Sequence, residues 1–136
     1  MSVLMISALL AVSVIALVST VRLDSMIAGN KRRSATASLA ATSGVNHFIS
    51  LNIPVSMLSK SIREHSGVSR VILKDVPLDP NKTFYTVTAR ICCDRDGGML
   101  EDNKIIIESE GVYTKGDKIL AIHKLSATVV ELSASN

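Results

Sequence analysis

Residues 26–49 read MIAGNKRRSATASLAATSGVNHFI, and this stretch decides the fold. In and around it, apolar residues recur mostly at spacings of three and four with polar residues between them, which is typical of a helix with one apolar face. The stripe comprises Leu23, Met26, Ile27, Ala37, Ala41, Gly44, Val45, Phe48 and Leu51. Asn52-Ile53-Pro54 ends the pattern because the residue before proline avoids the α region. We therefore predict one helix from about residue 2 to 51, roughly 75 Å long.

Toward the N terminus this helix becomes apolar on all sides. Residues 1–21, MSVLMISALLAVSVIALVSTV, carry no charge, and as a helix they measure about 31 Å, close to the hydrocarbon thickness of a bilayer. An unprocessed secretory signal is disfavoured because it would begin with a basic region. Small residues would let neighbouring helices approach closely, and they are Ser2, Ser7, Ala8, Ala11, Ser13, Ala16, Ser19 and Thr20. The sequence predicts an apolar helix over residues 1–22 and a globular domain over residues 23–136.

Toward the C terminus the pattern changes from helix to strand. Residues 55–65 predict a short helix, and four strands follow, at 70–76, 83–92, 104–113 and 118–132. Pro77 with Asp79-Pro80-Asn81 predicts the first turn, and Thr114-Lys115-Gly116-Asp117 predicts a hairpin turn. Short turns imply antiparallel order, and one face of the sheet needs a cover. We predict an α+β fold in which the second half of a long N-terminal helix packs on a four-stranded antiparallel sheet while the apolar first half protrudes.

The charge pattern argues against a nucleic-acid-binding protein. The net charge is +3, but all 15 Lys and Arg share residues 22–136 with all 12 Asp and Glu, so the charged part is mixed in sign. Only four aromatic residues are present to stack on bases. Cys92 and Cys93 are adjacent, and a bridge between them would be strained, which favours free thiols or an intersubunit bridge.

The residues that could carry chemistry are few. Asp94, Asp96, Glu101 and Asp102 surround Gly97-Gly98 in the only long polar loop, 94–103, and make a weak Ca²⁺ candidate. The loop lacks the full twelve-residue calcium pattern, so a solvated acidic hairpin tip is the favoured interpretation. His47, His65 and His123 lack metal-ligand spacing, and no catalytic motif is present. Asn81-Lys82-Thr83 matches a glycosylation sequon, which is short enough to arise by chance. We predict no enzyme and no cofactor.

The order of elements, with the motif after the apolar helix, resembles mature type IV pilins and pseudopilins. The branch with the closest arrangement is that of the pilus-assembly, minor pilin-like proteins, in which an apolar helix precedes a Met-Ala-Gly-Asn-like motif and a basic cluster. Ala28-Gly29-Asn30, Arg32-Arg33, Ala40-Ala41 and Gly44-Val45 match that arrangement. The resemblance is specific over about the first fifty residues and covers the remainder only in its order of elements.

The resemblance implies a structural subunit of an extracellular filament. A prepilin peptidase would remove a short basic leader, which would make Met1 the N-methylated mature terminus. The subunit would reside in the inner membrane, with its sheet domain outside the cytoplasm, until the pilus assembly machinery adds it to copies of itself and to other pilins. The residues expected to pack in the filament core are Leu4, Met5, Ala8, Ala11, Val12, Ile15 and Val18.

Two positions depart from the pattern of that family. Most major pilins have Glu at mature position 5, where it is thought to pair with a neighbour's N-terminal amine, whereas this chain has Met5. The usual helix-breaking Gly and Pro are also missing from the apolar half, so we expect less melting there.

One alternative keeps the same fold. The chain would then be a single-span, membrane-anchored protein whose exported domain acts as a minor tip subunit, an adhesin or a secretion-system pseudopilin. The basic residues Arg22 and Lys31-Arg32-Arg33 bear on orientation, since alone they would hold the C-terminal part in the cytoplasm, whereas a removed basic leader would reverse it. Adhesion, motility, DNA uptake and secretion all remain open as roles.

Overall fold

The computed structural model describes residues 2–65, 68–80, 82–91 and 104–131, and it describes side chains from Leu17 onward. The elements in chain order are helices α1 (Ser2–Ser50) and α2 (Val55–His65), then strands β1 (Ser69–Asp79), β2 (Thr83–Ile91), β3 (Lys104–Lys115) and β4 (Lys118–Val130). The chain divides into two compact units, Met1–Arg33 and Ser34–Asn136, and the division falls inside α1. The predicted α+β class with a four-stranded antiparallel sheet is confirmed.

The end of α1 is set by Asn52 and Pro54. Asn52 adopts a left-handed backbone with φ of 47°, a conformation that asparagine tolerates and that commonly terminates helices. Pro54 then opens α2, and its carbonyl accepts the first helical hydrogen bond, from the Leu58 N–H at 3.1 Å. Glu131, just beyond β4, accepts a hydrogen bond from the Ser56 N–H at 2.9 Å and so caps the start of α2.

The sheet is a meander in which each strand pairs antiparallel with its neighbour in sequence, in the order β1-β2-β3-β4. The β2–β3 pair keeps one register from Thr83↔Tyr113 to Ile91↔Ile105. Gly116, with φ of 60°, opens the tight turn between β3 and β4, where type II′ turns place glycine. Its two-residue loop is shorter than the predicted turn because Thr114 and Lys115 pair within the sheet.

The predicted first turn, Pro77 with Asp79-Pro80-Asn81, was wrong only in including Pro77. β1 continues through this proline to Asp79, and Pro77 pairs with Phe84. Proline lacks an N–H to donate, but β1 is an edge strand, where one side of the backbone needs no partner strand. The turn therefore lies after Asp79, where the Lys82 N–H donates to the Asp79 carbonyl at 3.3 Å.

The core lies between one face of the sheet and two helical segments of the unit Ser34–Asn136. From α1 it takes Ala37, Ala40, Ala41, Gly44, Val45 and Phe48, and from α2 it takes Val55, Leu58, Ser59 and Ile62. The alternate residues of β2 and β3 complete it, from Thr83 to Ile91 and from Ile105 to Gly111. The prediction that the second half of the long helix covers the sheet is confirmed, and α2 is a second cover that the prediction lacked.

The predicted apolar stripe is longer than the buried face of the helix. Leu23, Met26, Ile27 and Leu51 belong to the stripe but are exposed. Leu51 follows the last residue of α1, where the chain turns toward Pro54, and it is 41% exposed. Helical spacing predicts which residues share a face of the helix. It does not predict how much of that face is buried against another element.

Candidate assembly surfaces

In the unit Met1–Arg33, the described part of α1 exposes a group of large apolar side chains. They are between 49% and 69% exposed, and they are Leu17, Val18, Val21, Leu23, Met26 and Ile27. Successive helical residues are offset by about 100°, so these six point to all sides of α1 and leave no gap wider than about 80°. A single flat partner could cover only some of them, whereas several neighbouring helices or lipid could cover all.

The Ala28-Gly29-Asn30 motif lies in the same segment. Ala28 and Asn30 are exposed, and Gly29 is partly exposed. A Cβ added at Gly29 would meet nothing within 4 Å. Packing within the described part of the chain therefore does not require glycine at this position.

The opposite holds at Gly44 and Gly111, where α1 lies against β3. A Cβ at Gly111 would overlap the Ala37 carbonyl oxygen and lie 3.0 Å from Ala40 Cβ, and one at Gly44 would overlap Ser109 Oγ. The two glycines allow the helix backbone to approach the strand more closely than any larger residue would. Ser109 is buried, and its Oγ has no hydrogen-bond partner among the described residues.

A polar contact joins α1 to the neighbouring strand β2. His47 Nδ1 on α1 and the Tyr85 hydroxyl on β2 form a hydrogen bond of 2.7 Å, and their rings meet edge to face at 80°. Burial raises the pKa of the Tyr85 phenol above its ordinary value of 10.0, because the phenolate would lose its hydration. Burial therefore favours the neutral phenol over the phenolate.

The other face of the sheet carries charges in its centre and apolar residues at one end. Lys124 on β4 binds Glu110 on β3 at 2.7 Å, and Arg90 on β2 binds Glu108 at 2.8 Å. The hydrogen bond and the negative charge of Glu110 raise the pKa of Lys124. Phe84, Val112 and Ile122 form the apolar end, since they lie side by side across three strands. The two ion pairs, Lys124–Glu110 and Arg90–Glu108, are exposed, so each contributes little to stability.

Most of the predicted site residues lie outside what the structure describes. The side chains of Leu4, Met5, Ala8, Ala11, Val12 and Ile15 do so, as do Met1 and the predicted calcium ligands Asp94, Asp96, Glu101 and Asp102. Cys92, Cys93 and Asn81 do so as well. Of the predicted filament-core residues, Val18 alone has a side chain that the structure describes, and it is 49% exposed.

The predicted span, residues 1–21, is described at side-chain level only from Leu17. Within the residues that can be assessed, no helix combines the length and the hydropathy needed to cross a bilayer. In residues 17–65, 68–80, 82–91 and 104–131, no three side chains of His, Cys, Asp or Glu come together as a metal site would require. His47 and His65 instead bond to Tyr85 and to the Ser61 carbonyl oxygen.

Two residues of the α1–β3 contact were not singled out from the sequence. Ser109 and Gly111 lie in the strand sequence KIIIESEGVY, and a glycine inside a strand pattern signals close approach of another backbone. That signal marks the position of the contact but does not name the element that makes it. Comparison with models of protein families, with curated proteins and with solved structures gives no match.

Proposed function

We propose that this chain is a structural subunit of an extracellular filament of the type IV pilus kind, in which the N-terminal helices of neighbouring subunits form the core. The observation that carries the proposal is the ring of exposed apolar side chains on α1 between Leu17 and Ile27. It is joined by the uncharged run of residues 1–21 and by the Ala28-Gly29-Asn30 motif.

Burial of these side chains contributes free energy in favour of such an assembly, before the entropy cost of association is counted. Full burial of a large apolar side chain contributes about 1.5–3 kcal/mol, so covering the exposed parts of these six would contribute roughly 5–10 kcal/mol per subunit. Because the six side chains face all sides of the helix, each subunit needs several neighbours. A contact that repeats head to tail without closing gives a helical filament.

The proposal includes a membrane stage. Before assembly, residues 1–22 would lie in the inner membrane with the sheet domain outside the cytoplasm, and Met1 would be the N-methylated terminus. In the filament, the predicted core residues from Leu4 to Val18 would exchange lipid for neighbouring helices. The partners would be further copies of this chain, other pilins and the pilus assembly machinery.

A matched pair of variants tests the proposal. Leu17 and Leu39 lie on the same helix and are 67% and 60% exposed, but Leu39 belongs to the unit whose helix packs on the sheet. We expect Leu17→Arg to abolish recovery of fibres sheared from the cell surface, because a charge in a packed apolar core is costly. Leu39→Arg should leave the fibre yield near that of the wild type.

The readout is electron microscopy of the sheared fraction together with a count of subunits in purified fibres. Equal fibre yields from the two variants would overturn the proposed helix core. Retention of the wild-type protein in the membrane fraction, with no fibres, would instead support the alternative of a membrane-anchored exported domain.

A further inference from the structure

A notch in the exposed surface of α1 lies at Gly29, in the unit Met1–Arg33. It is lined by Ser25, Met26, Gly29, Asn30 and Arg33. A Cβ added at Gly29 would meet nothing within 4 Å, so the notch exists because a side chain is missing there. Glycine inside a helix is destabilising relative to alanine, and packing within the described part of the chain does not require it here. The notch therefore suits a contact with something outside the chain.

The polar side chains that line the notch can all donate hydrogen bonds. Arg33 provides a guanidinium, Asn30 an amide NH₂ and Ser25 a hydroxyl. Successive helical residues are offset by about 100°, so Arg22, two turns earlier, lies within about 20° of Gly29 around the helix axis. It adds a second guanidinium to the same face. A guanidinium matches phosphate well, because it donates two parallel hydrogen bonds to two phosphate oxygens.

Charge is distributed unevenly around this part of the helix. Residues 17–33 contain one acidic residue, Asp24, and four basic ones, which are Arg22, Lys31, Arg32 and Arg33. Asp24 and Lys31 lie about 140° and about 160° from Gly29 around the axis, so both face the opposite side. Among the described residues, no carboxylate lines the notch. The side of α1 that carries the notch is therefore positive and favours an anion.

The notch lies directly beyond the apolar part of α1. Met26, which lines it, and Ile27 are 69% and 51% exposed, so apolar surface continues to within one turn of Gly29. Gly29 is about 10 Å beyond residue 22 and about 3 Å beyond Ile27 along the helix axis. The headgroup layer of a bilayer is about 5–8 Å thick. With the end of the hydrocarbon region between residue 22 and Ile27, the notch lies at the level of the lipid phosphates.

We propose that the notch at Gly29 binds the phosphate of an anionic phospholipid while the chain is in the membrane. The proposal rests on the membrane stage of the proposed function, which the membrane-anchored alternative shares. Arg33 would bind the phosphate, the hydroxyl and amide groups would donate further hydrogen bonds, and Met26 would lie against the glycerol and the first acyl carbons. Helical side chains lean toward the N terminus, so Arg33 points back toward Gly29 and the bilayer. The site would hold α1 at one depth until assembly removes the subunit from lipid.

Titration of the full-length chain in neutral detergent micelles with phosphatidylglycerol tests the site. The chain has seven glycines, so isotope labelling of glycine alone gives a nuclear magnetic resonance spectrum in which each amide is a local probe. The Gly29 signal should shift and saturate, whereas the signal of Gly44, which is buried against the sheet, should not move. Phosphatidylcholine should bind about tenfold more weakly, because it has no net charge.

The same titration has two results that would overturn the proposal. One is a Gly29 signal that does not respond to phosphatidylglycerol, or that responds equally to phosphatidylcholine. The other is saturation by free glycerol phosphate at the same concentration, which would show a site for soluble phosphate esters and not for a lipid.

Two variants that each remove one positive charge separate the notch from general attraction to anionic lipid. Arg33 lines the notch, whereas Lys31 is exposed on the opposite side of the helix, two residues away. We expect Arg33→Gln to raise the dissociation constant for phosphatidylglycerol about tenfold and Lys31→Gln to change it less than about twofold. Equal changes would mean that charge acts here without a site.

A second pair of variants fills the notch and leaves the charge unchanged. Gly29→Leu places a side chain in the notch, and Ala28→Leu places the same side chain at an exposed neighbour that does not line it. Leucine favours helix, so both variants should fold. Native mass spectrometry of chains released from micelles counts bound lipid, and Gly29→Leu should lose most of its phosphatidylglycerol while Ala28→Leu keeps it. Equal retention in the two would exclude the notch.

None of these measurements requires fibres. Lipid binding at the notch without fibres in the sheared fraction would overturn the filament proposal and leave this site in place. Fibres from a chain whose Gly29 signal does not respond to lipid would overturn this inference alone.

Discussion

Residues 17–33 and residues 34–50 belong to the same helix, yet only the second segment has a buried apolar face. In the first segment, Leu17, Val21 and Met26 are exposed. In the second, Ala37, Ala41 and Phe48 are fully or almost fully buried. Gly29 in the first segment has open space where a side chain would be, whereas Gly44 in the second has Ser109 and Tyr85 there.

The difference teaches that residue size, more than apolar character, marks where this helix has an intramolecular partner. The buried face of the second segment consists of alanine, glycine and valine until Phe48, so the helix can lie close to the sheet. The first segment carries larger side chains on all sides, which no single sheet could cover. The second segment packs within the chain, and the first is exposed and available to the neighbours of the proposed filament.

The sharpest way to break this comparison is to remove one apolar side chain from each segment. Phe48→Ala should lower the free energy of unfolding by about 3–5 kcal/mol, because Phe48 is 3% exposed and its removal leaves a cavity. Met26→Ala, at a side chain that is 69% exposed, should change it by less than about 0.5 kcal/mol. Urea unfolding of the full-length chain in micelles, followed by circular dichroism, measures both. Similar losses from the two would mean that Met26 is buried within the folded chain.

The same substitution at two glycines of α1 should give changes of opposite sign. Gly44→Ala should destabilise by about 1–3 kcal/mol, because the new methyl group would lie 2.9 Å from Tyr85 Cδ2 and overlap Ser109 Oγ. Gly29→Ala should stabilise the helix by about 0.5–1 kcal/mol, because it meets no atom within 4 Å and alanine favours helix. Thermal unfolding of both variants checks the signs. Stabilisation by Gly44→Ala would show that the α1–β3 contact is looser than described.

High pH should loosen the second segment of the helix and leave the first unchanged. The folded pKa of Tyr85 lies above its unfolded value of 10.0, so its contribution to stability is complete below pH 10 and is lost as pH rises through the folded pKa. The raised pKa of Lys124 acts in the same direction, with a small effect because that side chain is exposed. Amide exchange of residues 37–48 should therefore accelerate above pH 10 more than its chemical rate, and that of residues 17–33 should not.

Two tyrosine variants control that measurement. Tyr113→Phe leaves Tyr85 as the only tyrosine, and its ultraviolet titration midpoint should lie above 10.0. Tyr85→Phe should remove most of the acceleration in residues 37–48. If Tyr113→Phe removes it instead, the buried phenol is not its cause.

Much of the fold could be predicted from the sequence because its signals are local. The bounds of α2 and the starts of three strands follow from patterns a few residues long, and the long helix ends within one residue of its predicted end. Pro77 was misassigned since proline is compatible with both a turn and an edge strand, and only the order of strands tells them apart. The length of the buried stripe depends on which elements pack together in the fold, and a local sequence pattern does not contain that information.

The candidate surfaces were harder to predict. The apolar character of residues 17–27 is evident in the sequence, but their exposure on all sides is a property of the fold. The α1–β3 contact joins Gly44 to Ser109, and Gly111 to the helix at Ala37 and Ala41, across more than sixty residues of chain. Each glycine alone is compatible with a turn, a bulge or a close approach, and only the atoms that the fold packs against it identify the last.

The close approach at Gly44 also restricts the position of α1 along its own axis relative to the sheet. If α1 slipped by one turn in either direction, about 5.4 Å, Ala40 or Phe48 would occupy the position of Gly44. Each has a Cβ that would overlap Ser109 Oγ and come within 3.0 Å of Tyr85 Cδ2 and Val87 Cγ2, so both displacements are sterically opposed. A force along the axis of α1 would therefore be resisted by steric overlap and not only by the sum of weak apolar contacts, a property that would suit the mechanical load on a subunit of the proposed filament.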